Sequence, residues 1–264
     1  MIFVNSSWVN VPCSDTDVIN FIAATGITDS TLISGVCTLT NSLKNSGIWD
    51  KMYAIYPMIG GTAVTHKFNL KNPADTSPAF RLSFIGGWVH SATGAKPNGT
   101  NGYAITFLTP SITQNVNSNG MGMYITERTV AGTDPVQMGS LVNYLTSAST
   151  LVVTPTLMSS RLNAANINAA ITGGAGSFDT HRTAATITKY YKNGTTIQTL
   201  NSGGVLPNLP IYLGNLNNNG GPYTIGWINS EFRFSYISQG LNDTEVSNLR
   251  TYIQAFQTTL GRNV

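Results

Sequence analysis

The sequence predicts an all-β-dominated chain: a two-sheet antiparallel sandwich, or a barrel, with helices before it and one helix after it. Three observations carry this. From Trp49 to Phe234, short runs rich in Val, Ile, Thr, Tyr and Phe are broken by Gly, Asn and Pro, which is the spacing and turn chemistry of sandwiches and barrels. Within that region "KYYKNGTTIQ" (189–198) sets Asn193-Gly194 between two alternating runs, supplying the two positive-φ residues of a type I′ hairpin turn. Residues 242–260, by contrast, repeat apolar residues every three or four positions, the period of an amphipathic helix.

Taken in order, "SDTDVINFIAATG" (14–26) offers Ser14 as N-cap with Asp17 three residues on. Apolar Val18, Ile19, Phe21 and Ile22 follow, and Gly26 is the stop. "DSTLISGVCTLTNSLKNSG" (29–47) repeats the logic: Asp29 or Ser30 caps it, Leu32, Val36, Leu39 and Leu43 form a stripe, and Gly47 ends it. Gly35 inside that helix costs about 1 kcal/mol against Ala, so the helix is expected to rely on packing. Strand runs follow at 52–59, 80–91, 103–110, 122–130, 184–192, 195–200, 210–214 and 232–238. The final helix is capped by Asn242, with Glu245 at the capping-box position. Val246, Leu249, Ile253, Phe256 and Leu260 form its apolar face, and Gly261 stops it. No linker argues for a second independent domain. The expected organisation is a helical segment, 1–48, packed on a main domain, 49–264.

The composition narrows the function classes. Hydrophobic residues make up 41% of the 264, enough to bury a sizeable core, while charged residues are only 9%, far below the usual quarter. Solubility therefore rests on Asn, Thr, Ser and Gly, as suits extracellular, virion or oligomeric β proteins. The net charge of +3 comes from fourteen scattered Lys and Arg, with no stripe of the kind that phosphate neutralisation needs, so nucleic acid is not an expected partner. No apolar run reaches the ~18 residues of a membrane span and no basic leader precedes an apolar one, so no membrane role is expected either. Release from a cell would then occur within an assembly or by lysis. Cys13 and Cys37 lack CxxC spacing and a nearby His, and are read as buried free thiols, with a disulfide as the alternative.

Catalytic patterns are absent from the linear sequence. "YAIYPMIGGTAVTHKFNLKNP" (53–73) has neither GxxxxGK[ST] nor GxGxxG, so it is read as a strand pair joined at Gly60-Gly61. His66, His90 and His181 sit in neither GxSxG nor HExxH, and His66 is read as a satisfied or surface residue. The eleven acids include Glu127, Asp179 and Glu231 but no i, i+2 pair on a strand and no ExDxxE, which argues against a glycoside hydrolase. No metal set and no cofactor is expected, and no catalytic residue is assigned.

Two segments carry a resemblance. "YYKNGTTIQTL…LPIYLGNLNNNGGPYTIGWINSEFRFSYISQGLNDTEVSNL" (190–249) resembles the closing half of laminin-G-like, concanavalin A-like jelly rolls. Asn193-Gly194, Leu213-Gly214, Glu231 and the Leu241–Glu245 run stand at that family's marker positions. The usual paired acid is missing, since "GWINSEF" (226–232) replaces G-x-I-D-E-V. "LKNSGIWDKMYAIYPMIGGTAVTHKFNLKNP" (43–73), "GGWVHSATGAKPNGTNGYAITFLTP" (86–110) and "AFQTTLGRNV" (255–264) resemble structural proteins of tailed bacteriophages of the crAss-like type. The first resemblance implies an antiparallel jelly roll; the second implies a location in the virion.

The expected function is therefore a non-enzymatic virion structural protein: a capsid decoration, head fibre or tail-associated component in contact with other virion proteins. It is expected to form a homo-oligomer, and the resemblance implies a trimer. The alternative is a carbohydrate-binding adhesin that attaches the particle to a host surface glycan. Neutral sugars are gripped by amides and aromatic rings. The loop "NLNNNGGPY" (215–223), with Asn217, Asn218, Asn219 and Tyr223, and the rings of Trp88 and Trp227 are the candidates. A solvated turn and core tryptophans remain the simpler account of these residues, so no ligand-binding residue is assigned.

Overall fold

The computed structural model describes residues 2–4, 7–9, 13–129, 132–163, 165–201 and 203–264. The chain begins with a hairpin, β1 (Ile2–Val4) and β2 (Ser7–Val9), followed by α1 (Thr16–Thr25), α2 (Ser30–Asn45), β3 (Met52–Tyr56) and a single helical turn, α3 (Ala63–His66). Next come β4 (Ser83–Ile85), β5 (Trp88–Ser91), β6 (Gly94–Pro97), β7 (Tyr103–Ile105), the short α4 (Pro110–Thr113) and β8 (Asn119–Ile125). A meander of β9 (Met138–Asn143), β10 (Ser147–Val153), β11 (Leu157–Leu162) and β12 (Ile167–Ala170) leads to β13 (Gly176–Ala184), β14 (Ile187–Lys192) and β15 (Thr195–Asn201). The chain closes with β16 (Tyr212–Leu213), β17 (Leu216–Asn218), β18 (Gly221–Pro222), β19 (Phe232–Ser238) and α5 (Asp243–Thr259).

Apart from the β1–β2 hairpin, these strands form two facing sheets. One runs β12-β11-β10-β9-β16-β7-β4 with β17 and β18 attached; the other runs β15-β14-β13-β8-β19-β6-β5 with β3 on β19. Among the described residues the strand pairings are antiparallel except β17 on β9. The two-sheet antiparallel jelly roll expected from the sequence is the fold observed. Met121, Met123, Leu151, Val153, Met158, Phe178 and Ile237 fill the space between the sheets. A second cluster sits on the outer face of the β8/β19 sheet, where Tyr124, Tyr191, Phe234 and Tyr236 meet Phe21 and Ile22 of α1, Val36 and Leu39 of α2, and Leu249, Ile253 and Phe256 of α5. This sheet is covered by helices. The outer face of the other sheet carries only a small cluster around Val136, Leu141, Val152 and Leu216; it is the open sheet.

The last helix forms as its sequence predicts. Asn242 caps it with a complete capping box to Glu245, and Val246, Leu249, Ile253 and Phe256 are buried. Gly35 of α2 is where that helix meets α5: a Cβ there would stand 3.3 Å from the Phe256 ring, so the local cost of glycine is offset by close packing. Asn193 and Gly194 take φ of 50° and 79°, and the predicted hairpin joins β14 to β15.

Several expectations are corrected. Asp15, not Ser14, caps α1, its carboxylate accepting from the Asp17 and Val18 amides; a carboxylate one residue closer reaches both donors. Cys13 and Cys37 are joined in a disulfide, with Cα atoms 5.9 Å apart, overturning the free-thiol reading. The bridge ties the segment entering α1 to α2, a proximity that appears only once the two helices pack. The residues after Gly61 are not a strand. Thr62 and Thr65 cap each other around α3, so reciprocal hydroxyl-to-backbone bonds outcompete the β pattern. The run 80–91 is two strands, β4 and β5, in different sheets. They break at Gly86, whose φ is 71° and where a Cβ would collide with the Asn101 carbonyl at 2.1 Å. The run predicted over 122–130 ends as a strand at Ile125, and residue 130 lies outside the described residues. The β9–β12 meander was not foreseen, because its strands are built from Ser, Thr, Ala, Gly and Met as much as from Val and Leu.

Candidate functional site

Two constellations of polar and aromatic side chains lie on opposite faces of the sandwich. The first is buried between the covered sheet and its helices. Asp179 and His181 project from β13 and Tyr236 from β19, all 2% exposed or less. The Asp179 carboxylate accepts from the Tyr236 hydroxyl at 2.6 Å and from Ser177 at 3.0 Å. His181 Nε2 lies 2.9 Å from the same hydroxyl, and its Nδ1 accepts from the Leu241 amide at 3.3 Å. With Asp179 ionised, protons run from the Leu241 amide through His181 and Tyr236 to the carboxylate, and every donor in the chain has an acceptor. Burial pushes Asp179 up to about 6 and His181 down to about 3, so near pH 7 the imidazole is neutral.

The sequence of β8, "NGMGMYI", is fitted to this network. Asp179 stands opposite Gly122 and His181 opposite Gly120. A Cβ on Gly122 would meet Asp179 Oδ1 at 2.2 Å, and one on Gly120 would meet His181 Nδ1 at 2.1 Å. Acid, hydroxyl and imidazole thus adjoin one another as in a catalytic relay, but they are sealed under the helices. His66 is likewise satisfied, as expected: it is 1% exposed, accepts from the Gly61 amide and shares a proton with His90 across 2.9 Å.

The second constellation is a cleft of about 100 Å³ on the open sheet, lined by Asp134, Val136, Tyr144, Thr150, Val152, Ser159, Arg161, Asn166 and Leu216. Strand alternation builds it. Leu151 and Val153 of β10 and Met158 and Leu162 of β11 face the core, so Thr150, Val152, Ser159 and Arg161 face outward. Thr150 pairs directly with Arg161 across the two strands. Tyr144 rides on the β9–β10 turn, which Asn143 fixes by accepting from the Leu145 and Thr146 amides. Asp134 is held where its amide donates to the Ile225 carbonyl.

The cleft side chains are linked to one another. The Arg161 guanidinium lies 5.3 Å from the centre of the Tyr144 ring, a cation–π contact. The Tyr223 hydroxyl donates to Asp134 at 3.2 Å, and a hydrogen bond with the Tyr144 hydroxyl, followed by burial, raises the Tyr223 phenol's pKa. Burial lowers Arg161's pKa, opposed by Tyr144, Tyr190 and Asp134. Unlike the buried network, this one has open valences: among the described residues the buried Nε of Arg161 and Oγ1 of Thr150, itself 2% exposed, have no hydrogen-bond partner. Tyr144 remains 45% exposed and Leu145 beside it 81%.

Of the residues singled out in the sequence, Tyr223 adjoins this cleft, through its hydrogen bond to Asp134. Asn217 does not: it is 1% exposed, donates to the Pro210 carbonyl and accepts from the Gly220 amide, so it holds the loop. Asn218 pairs within β17–β18 and Asn219 takes the left-handed conformation of the turn. Trp88 is half-buried, its indole donating to the Tyr103 carbonyl, and the Trp227 carbonyl accepts from Gly132. Arg161, Tyr144, Asp134 and Thr150 were missed. The available signal was an arginine in the otherwise uncharged run 138–163, since a lone charge at an outward strand position needs a reason.

No protein-family model matches the sequence, and no curated protein matches it. By structure the chain is similar to domain 4 of AbnA, a GH43 extracellular arabinanase from Geobacillus stearothermophilus solved in complex with arabinotriose. That likeness has a TM-score of 0.50 at 13% identity and covers 76% of this chain and 98% of that one. It is also similar to a botulinum neurotoxin type C structure described through cell entry dependent on two ganglioside molecules (TM-score 0.57, 16% identity, 80% of this chain and 53% of that one). A third similar structure is the binding domain of botulinum neurotoxin DC in complex with rat synaptotagmin II (TM-score 0.54, 15% identity, 78% and 52%). The chain thus spans about half the length of the neurotoxin chains. At identities this low the likeness shows the shared fold alone, the jelly-roll sandwich.

Proposed function

We propose that this protein is a non-enzymatic glycan-recognition module of a bacteriophage particle, with the open-sheet cleft as its binding site. The observation that carries the reading is the cleft: an exposed tyrosine on a fixed turn, a guanidinium on a strand, an exposed carboxylate, and a buried Arg161 Nε and Thr150 hydroxyl without partners among the described residues. Sugars are bound by stacking on such rings and by hydrogen bonds to such groups. An arabinotriose complex and a ganglioside-dependent toxin among the structural neighbours are consistent with the reading. The only acid–imidazole relay described is shut away from substrate, which favours binding over catalysis. The test is a glycan array probed with the purified protein and with Tyr144→Ala: selective binding that the variant loses is expected, and the absence of any glycan bound by wild type would sink the reading.

The virion location and the homo-oligomer, taken as a trimer, are part of the same proposal. They are supported by the resemblance to phage structural proteins, by the 9% charged residues, and by Ile112, Leu145 and Val205, which are 85%, 81% and 58% exposed. A weakly charged surface with bare aliphatic side chains is tolerated best where copies or neighbours cover it. Sedimentation at micromolar concentration should show a trimer, and immunolabelling should find the protein on intact particles. A monomer missing from purified particles would remove this half.

A further inference from the structure

The geometry points to the chemical class of sugar: we infer that the cleft takes an uncharged sugar presenting a vicinal diol, gripped between the Asp134 carboxylate and the Arg161 guanidinium. This inference rests on the glycan-binding reading of the cleft.

The argument begins with charge. Asp134 and Arg161 both line the cleft, yet they form no ion pair within 4 Å among the described residues. Each is held by something else, Asp134 by the Tyr223 hydroxyl and Arg161 by the Tyr144 ring. The two charges therefore balance without neutralising each other directly. An incoming carboxylate or sulfate would meet Arg161 but would also stand beside the exposed Asp134 carboxylate, and like charges repel. A neutral diol meets no such opposition. One hydroxyl donates to Asp134, whose carboxylate has lone pairs beyond the one Tyr223 uses, and its neighbour accepts from Arg161.

The remaining polar wall is uncharged and suits the same ligand. Thr150 Oγ1 is buried, lines the cleft and has no partner among the described residues; it can both donate and accept, as a sugar hydroxyl can. Ser159 and the Asn166 amide add further neutral groups. Val152 and Leu216 offer the apolar surface that a sugar's C–H face needs. A volume of about 100 Å³ holds part of one ring, so the site reads a terminal residue or one side of a chain.

The test titrates wild type, Asp134→Asn, Arg161→Gln and Thr150→Val against three immobilised probes: neutral oligosaccharides ending in galactose, mannose or arabinose, sialylated or uronate-bearing ones, and sulfated ones. The expected result is wild-type binding to a neutral probe that falls at least tenfold in Asp134→Asn and in Arg161→Gln, and severalfold in Thr150→Val, with all three variants still folded by thermal melting. Binding restricted to carboxylated or sulfated probes, strengthened in Asp134→Asn and lost in Arg161→Gln, would overturn this inference while leaving the glycan-binding reading intact. Neutral-probe binding indifferent to all three substitutions would overturn it too, by placing the sugar elsewhere. No binding to any probe would overturn both.

Discussion

The covered and open faces of this sandwich carry similar chemistry in opposite states. On one, Asp179, Tyr236 and His181 form a chain in which every donor has an acceptor, all at 2% exposure or less. On the other, Asp134, Tyr223, Tyr144 and Arg161 are linked as closely, but Arg161 Nε and Thr150 Oγ1 are left without partners among the described residues. Residue type does not separate a structural network from a binding site; valence and access do. A buried group lacking its partner costs about 1–3 kcal/mol, a cost that a bound ligand can relieve. The covered face should therefore answer mutation with stability, and the open face with affinity.

The largest expected effect is on the covered face. Gly122→Val places a side chain into Asp179 and Tyr236 and should destabilise the protein by upwards of about 3 kcal/mol. Chemical denaturation measures this, and a loss under about 1 kcal/mol would mean that the network yields easily. Next is the bridge that fastens the helical cover. Reducing Cys13–Cys37, which closes 24 residues of sequence separation, should cost about 3 kcal/mol. The melting temperature should fall while cleft binding persists in whatever protein stays folded; unaltered melting under reductant would count against a stabilising bridge.

The third effect is on pH dependence. Asp179's folded pKa of about 6 lies above the ordinary 3.8, so between these values the folded state holds more protons than the unfolded one. Its contribution is present at low pH and is lost as pH rises through about 6, about 2 kcal/mol over pH 4–6. Burial lowers His181 and His66 to about 3, and these give the opposite slope over the same range, so the Asp179 contribution is read as a difference: urea titrations should show stability rising more steeply with pH in Asp179→Asn than in wild type. Equal slopes would show that another group controls it. The smallest effect on stability is expected in the cleft: Tyr144→Ala and Arg161→Gln should shift unfolding by under about 1 kcal/mol, although they abolish or weaken binding. A large loss of stability in either would make the cleft a structural network like its counterpart.

The sequence by itself determined much of the frame. The Asn242–Glu245 capping box, the Val246/Leu249/Ile253/Phe256 stripe, the Asn193-Gly194 turn and the 232–238 strand are local signals, set by dihedral preference and periodicity within a few residues, and they stand in the structure as read. Local reading failed where a tertiary partner set the outcome. The disulfide depends on how two helices meet, the break at Gly86 on the approach of Asn101, and the glycines of β8 on an aspartate and a histidine far along the chain, at 179 and 181. The cleft was least legible of all. Of its linked side chains only Tyr223 was singled out, because a binding site on a sheet is assembled across strands: Thr150 and Arg161 become neighbours through β10–β11 register, and Asp134 reaches them from a separate segment. Adjacency along the chain fixes backbone conformation, whereas adjacency across strands fixes which charges and hydroxyls can share one ligand, and that was decided only by the folded sandwich.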